Sequence, residues 1–191
     1  MRHSRVILGL ALVCLSLTAC GGAESPGVTR EIETPAREMS FTADDLGSEW
    51  EIGQDLDLDD MTVFQNVEHI RDANMRMFSA ADITGLLTSF VFSTKTVKQA
   101  EVEMEGDIVE SMARDMEQQV PGLTMQTLEA PDLGDEASLS GGTLSDLGLG
   151  VYVLTFRKAN VVAMFSLIAS EDVATEDLVT DYARKLEAKM H

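Results

Sequence analysis

The sequence predicts a single α+β domain, a mainly antiparallel sheet packed by a long central helix and a C-terminal helix. Residues 150–157 and 160–169 are apolar on both faces and are separated only by Lys158-Ala159, the pattern of a hairpin at the centre of a covered sheet. Between residues 97 and 119, Ala100, Met104, Ile108, Met112 and Met116 recur every fourth position, which marks an amphipathic helix. Near the C-terminus, Leu178, Val179, Tyr182, Leu186 and Met190 form a second helical stripe. Two such helices must lie on the sheet that the apolar strands build, which sets the class.

The first element is not part of that domain. Met1-Arg2-His3-Ser4-Arg5 is basic, the run from Val6 to Leu15 is apolar, and Leu17-Thr18-Ala19-Cys20 is followed by Gly21-Gly22. The three regions have the order and lengths of a secretory signal peptide. The apolar run is too short for a membrane span, which needs about 20 residues. Its ending resembles the lipobox of bacterial lipoproteins, an aliphatic residue and two small residues before a cysteine. The resemblance implies that Cys20 sulfur receives a diacylglycerol, that the chain is cut between Ala19 and Cys20, and that the new amine is open to acylation. Two or more acyl chains anchor a domain stably where one does not. The expected location is therefore the cell envelope, on the outer side of the cytoplasmic membrane or in an outer membrane.

Residues 20–38 follow as a lipidated tether. The stretch lacks periodicity, holds Gly21, Gly22, Gly27, Pro26 and Pro35, and reads as a flexible spacer. The expected organisation is thus 1–19 signal peptide, 20–38 tether and 39–191 globular domain, long enough for one core.

Within the domain, Thr42 caps a short helical turn, with Asp45 three positions on and Gly47 at its exit. Trp50, the only tryptophan, is expected to plug the domain edge. Residues 55–60 read as an acidic loop, after which Met61, Phe64, Val67 and Ile70 recur every third residue as a helix. Residues 74–79 and 84–94 read as strands, and Pro121-Gly122 ends the long helix. Residues 123–128 alternate, and a short strand over 136–140 is expected to break at Gly141-Gly142. Thr175 caps the last helix, with Glu176 and Asp177 in its first turn and Arg184, Lys185 and Lys189 near its end, as the helix dipole favours.

In the C-terminal half, Leu133-Gly134-Asp135-Glu136-Ala137, the hairpin Phe156-Arg157-Lys158-Ala159-Asn160-Val161-Val162 and the last helix together resemble small extracellular sensor-type α+β domains. Such domains lie outside mycobacterial serine/threonine kinases and in related lipoproteins. The resemblance brings no catalytic residues with it. Where those domains often place glycine in the turn, this chain has Ala159.

Composition excludes several chemistries. Of the two cysteines, Cys14 leaves with the signal peptide and Cys20 is consumed by lipid, so the mature domain has no thiol for a disulfide, a nucleophile or a zinc site. The formal charge is −19 and becomes −21 once Arg2 and Arg5 are removed with residues 1–19. Neither nucleic acid nor a basic patch on anionic headgroups is expected, because the sequence shows no cluster of Lys and Arg.

Asp55, Asp57 and Asp59 begin like a calcium loop, but its sixth position is Asp60 instead of glycine and its twelfth is Asn66 instead of glutamate. A solvated acidic loop is the preferred reading, with a loose surface cation site left open. The eleven methionines suit copper(I), yet Met104, Met112 and Met116 sit where a helix buries its stripe. Core packing is the simpler account, and Met75 and Met77 would share a strand face.

No Gly-x-Ser-x-Gly elbow, phosphate loop or His-Glu-x-x-His motif occurs, and His69 and His191 are the only imidazoles beyond the signal peptide. His69 reads as a surface residue, and Arg157 and Asn160 as turn chemistry. No catalytic, cofactor-binding or metal-binding residue is expected; Cys20 is the one site residue, as a lipidation site.

The sequence therefore points to a non-enzymatic envelope domain that binds or senses, held to the membrane through lipid on Cys20, with an envelope protein or a small ligand as partner. The alternative is a lipid-anchored enzyme or enzyme accessory subunit. Because the hairpin arms are apolar on both faces, the second face is either covered by the 61–70 helix or open to a partner. In the open case Tyr152, Leu154, Phe156, Val162, Met164 and Ile168 are the candidate contacts.

Overall fold

Two antiparallel meanders, joined at their last strands, make the sheet. The computed structural model describes residues 30–61, 67–81, 85–105, 114 and 122–191. The first meander is β1 (Glu51–Asp57), β2 (Ile70–Ala80) and β3 (Gly85–Thr94); the second is β4 (Thr124–Leu128), β5 (Glu136–Leu144), β6 (Leu149–Lys158) and β7 (Val161–Ser170). All neighbours are antiparallel, in the order β1-β2-β3-β7-β6-β5-β4. The hairpin read from sequence thus lies centrally, as its apolar faces require.

Helices α1 (Ala36–Met39), α2 (Ala43–Leu46) and α4 (Glu176–Glu187) cover one sheet face, and α3 (Val97–Glu105) lies on the other. The main core joins Met39, Phe41, Trp50, Tyr182, Leu186 and Met190 to Phe78, Leu87, Val91, Leu154, Phe156, Phe165 and Leu167 from the strands. Phe41 stands edge-on to Phe165 at 5.5 Å between ring centroids. Thr175 Oγ1 accepts the Leu178 N–H at 3.2 Å, so the last helix is capped as its sequence requires. At α2 the Asp45 carboxylate accepts from the Thr42 N–H (2.6 Å) and hydroxyl (2.8 Å), the reciprocal contact of a capping box.

Several expectations are corrected. The acidic segment is not a loop: Glu51–Asp57 is an edge strand on β2, with a register shift between Ile52 and Gln54. Its residues are exposed from Glu51 to Gln54 and half-buried from Asp55 to Asp57, and carboxylates stand in place of apolar residues, so no alternation marks it. Ile70 opens β2 and therefore ends no helix; residues 62–66 of the expected helix lie outside the described residues, as do 106–113 and 115–119 of the long one.

Gly141 and Gly142 do not break β5. They continue it, because a Cβ on Gly141 would fall 2.8 Å from the Tyr152 ring and one on Gly142 would fall 2.4 Å from Thr124 O. The close approach of β4 and of an aromatic ring selects glycine inside a paired strand. The β6–β7 turn is Ala159-Asn160, since Lys158 pairs with Val161. Ala159 takes φ 52°, the left-handed position that glycine usually fills.

The packed domain also begins before Met39. Ile32 and Ala36 are buried in the main core, so residues 32–38 belong to the globular unit and not to the tether. One isoleucine and one alanine among charged residues carry no periodicity, and their anchoring is tertiary.

Candidate functional site

The loop and turn that carry the family resemblance meet at one end of the sheet and form a clasp. The Asp135 carboxylate accepts from Arg157 Nη1 at 3.0 Å and from the Ala159 N–H at 2.7 Å, and Arg157 Nη1 also donates to Ala159 O at 3.1 Å. Asp135 is brought there by Gly134 at φ 55°, where a Cβ would lie 2.1 Å from Arg157 O. Asn160, fully buried, accepts the Ile32 N–H on Oδ1 at 2.7 Å; its Nδ2 donates to Ile32 O at 3.3 Å and Thr94 O at 3.0 Å. Arg71 Nη2 donates to the same Ile32 carbonyl. Asp135, Asn160 and Arg157 Nη1 therefore fix the turn and the incoming chain at Ile32, while buried Arg157 Nε has no hydrogen-bond partner among the described residues and lies 3.8 Å from Glu136.

Beside the clasp opens a cavity of about 570 Å³, lined by residues 30–34, Asp135, Lys158, Ala159, Met190 and His191. Thr34 Oγ1 donates to His191 O at 2.5 Å, and Lys158 Nζ lies 3.4 Å from Glu187 O. The chain entering from the N-terminus and the end of α4 thus meet the hairpin tip at a single place.

A second, shallower groove of about 400 Å³ lies toward the opposite end of the sheet, over the two glycines of β5. Thr124, Gln126, Thr143, Ser145 and Glu176 rim it, and the Tyr152 ring covers Gly141 at its floor. Burial, and then the nearby Glu176 carboxylate, push the Tyr152 phenol above its ordinary pKa, so it remains a neutral donor. The groove holds one carboxylate, an aromatic ring and hydroxyls, a lining suited to a neutral polar ligand.

The candidate sheet contacts divide between faces. Tyr152, Leu154 and Phe156 share the helix-covered face; Val162, Met164 and Ile168 lie on the other. Val162 is fully buried with Ala73, Phe92 and Ala100, so α3 covers that end of the second face. Met75, Phe90, Met164 and Ile168 are half-buried along its middle. The six residues form no single contact surface. Cys20 lies outside the described residues.

The acidic strand is already occupied by the chain's own cations. Arg37 bridges Asp55 and Asp57 at 2.5 Å each, Arg76 Nε lies 3.1 Å from Asp55, and buried Asn74 Nδ2 donates to both carboxylates and to Leu56 O. Burial alone would raise the Asp55 pKa. Hydrogen bonds from Asn74 and Arg76, with the charges of Arg76 and Arg37, outweigh it and hold the carboxyl below its usual value. Among the described residues no three His, Cys, Asp or Glu side chains are grouped to hold a metal ion. His69 is tied to Glu103 at 2.6 Å between the strand end and α3. Sequence reasoning did not find these arginine partners, since Arg37 and Arg76 are distant in the chain.

No family model and no curated protein matches the sequence. Among solved structures, the fold is similar to the extracellular domain of PknH from Mycobacterium tuberculosis, with a TM-score of 0.56 at 10% identity over 85% of this chain and 98% of that one. At that identity the likeness establishes the α+β architecture.

Proposed function

We propose that this chain is a lipid-anchored, non-catalytic domain of the cell envelope that binds or senses a ligand or an envelope protein. The carrying observation is Leu17-Thr18-Ala19-Cys20 placed just ahead of a domain whose first buried residue, among those described, is Ile32. That arrangement leaves a short link between a lipidated cysteine and a fold similar to that of the extracellular domain of PknH. No helix among the described residues is long and apolar enough to cross a membrane, which is consistent with attachment through lipid. The polar groove around Tyr152 is the better ligand site of the two cavities, because it lies away from the tether and is not committed to the clasp.

The test is Cys20→Ala in a bacterium that processes lipoproteins. The variant is expected to keep its signal peptide uncut at this position, to take up no labelled acyl chain and to leave the detergent phase. Unchanged processing and partitioning would refute lipidation.

A further inference from the structure

We infer that the groove over β4, β5 and β6 is a site for a neutral saccharide, with the Tyr152 ring as its stacking platform. The inference rests on the reading of this groove as the ligand site and is independent of lipid at Cys20.

The strand register builds the groove row by row. On the helix-covered face, Leu128, Leu139 and Leu154 stand side by side across the three strands. The next row is Gln126, Gly141 and Tyr152, and the one after it is Thr124, Thr143 and Gly150. The leucine row closes one end. Each of the other two rows has a glycine where a side chain would otherwise fill the surface. Tyr152 leans into the first gap, its Cε1 2.8 Å from where a Gly141 Cβ would be, and Leu128 Cδ1 closes on the same point to 2.7 Å. A ring laid across its neighbour, instead of standing off the sheet, turns a face outward. Tyr152 is half-buried and lines the groove, so that face is offered to a ligand. In the second gap Ala174 packs on Gly150, which brings Glu176, the first residue of α4, to the rim.

The lining is made for hydroxyls. Thr124, Gln126 and Thr143 are exposed and uncharged. The Thr143 and Ser145 hydroxyls share a hydrogen bond at 3.4 Å, so adjacent ring hydroxyls of a sugar can meet both. Each of these hydroxyls donates and accepts, the Gln126 amide does so through two atoms, and the Glu176 carboxylate accepts. A pyranose offers the complement, with hydroxyls around its edge and C–H bonds on its faces. Those hydrogens are weakly positive and stack on the negative face of an aromatic ring.

Charge and backbone exclude the competitors. Among the described residues no Lys or Arg lines the groove, whereas Glu176 does, and Asp146 and Asp177 adjoin its lining in the chain. A phosphate, sulfate or uronate would meet like charge only. An extended peptide is recognised through the main chain of a free strand edge or through apolar pockets. Here the main chain of β5 beneath the groove is paired on both sides, and Leu128 and Tyr152 are the large apolar side chains among the lining residues.

The test presents the mature chain, Cys20 to His191 without lipid and in reductant, to immobilised neutral and acidic oligosaccharides. Retention on neutral members and none on acidic ones is expected. Tyr152→Ala should weaken that retention about tenfold, the effect of losing one aromatic contact. Tyr152→Phe keeps the platform and should retain most of the binding. Gln126→Ala, at an exposed site, should weaken it about fivefold, the effect of one hydrogen bond. Saturation transfer from the protein should fall chiefly on the C–H protons of the bound sugar. No neutral saccharide retained, equal retention of acidic ones, or retention unchanged in both Tyr152→Ala and Gln126→Ala would each overturn the proposal. An uncharged pentapeptide that shifts the amide resonances of Gly141 and Thr143, where no sugar does, would also overturn it while keeping the groove as a ligand site. The Cys20→Ala experiment decides lipidation separately.

Discussion

Asn160 does more for this fold than its place in a two-residue turn suggests. Its amide is fully buried and satisfies the Ile32 N–H, the Ile32 carbonyl and the Thr94 carbonyl at once. Asn160→Ala leaves the first without a partner and weakens the satisfaction of the others, and an unmet buried group costs about 1–3 kcal/mol. We expect a loss of about 3 kcal/mol, read as a lower urea midpoint at unchanged slope. Gly134 is constrained differently. It sits at φ 55° with no room for a Cβ against Arg157 O. Gly134→Ala is expected to cost at least about 2 kcal/mol, because a left-handed backbone and a backbone clash must both be relieved. The pair separates two roles: Asn160 holds the entering chain, whereas Gly134 holds Asp135 against the turn. A Gly134→Ala variant with wild-type stability would show that the loop can move without cost.

The edge element β1 shows how an acidic strand is kept in place. Its Asp55 and Asp57 would repel each other in a bare strand, but Arg37, Arg76 and Asn74 receive them from neighbouring elements. An edge of this kind also resists pairing with other chains, since carboxylates and a register shift blunt it. The Asp55 carboxyl lies below its ordinary value of 3.8 in the folded protein. Its contribution is therefore present above that value and is lost as pH falls through the lower folded value. The destabilisation caused by Asp55→Asn should accordingly be largest near neutral pH and shrink below about pH 4. Urea midpoints of the two proteins across that range check it. A difference that stays constant to the acid limit would mean that the aspartate acts through shape and not through charge.

At the scale of the whole molecule, strong periodicity was legible and tertiary anchoring was not. The central hairpin, the α4 stripe and the Thr42 and Thr175 caps could be read because each depends on residues within a few positions of one another. The β1 strand could not, since its partners Arg76 and Asn74 come from a later strand and its own residues look like solvent. The domain boundary failed for the same reason. Ile32 and Ala36 lie in a stretch too polar to suggest a core, yet both are buried, and Ile32 is bonded across 128 positions to Asn160. That failure makes a sharp prediction. A chain beginning at Arg30 should fold cooperatively and be indifferent to reductant, because no cysteine lies beyond Cys20. A chain beginning at Met39 loses the burial of Ile32 and Ala36, about 2–3 kcal/mol together. It also strips Asn160 of two partners, worth about 1–3 kcal/mol more. Against a total stability of about 5–15 kcal/mol, a combined loss of about 4 kcal/mol should lower the urea midpoint by a large fraction. Superimposable unfolding curves for the two chains would return residues 30–38 to the tether.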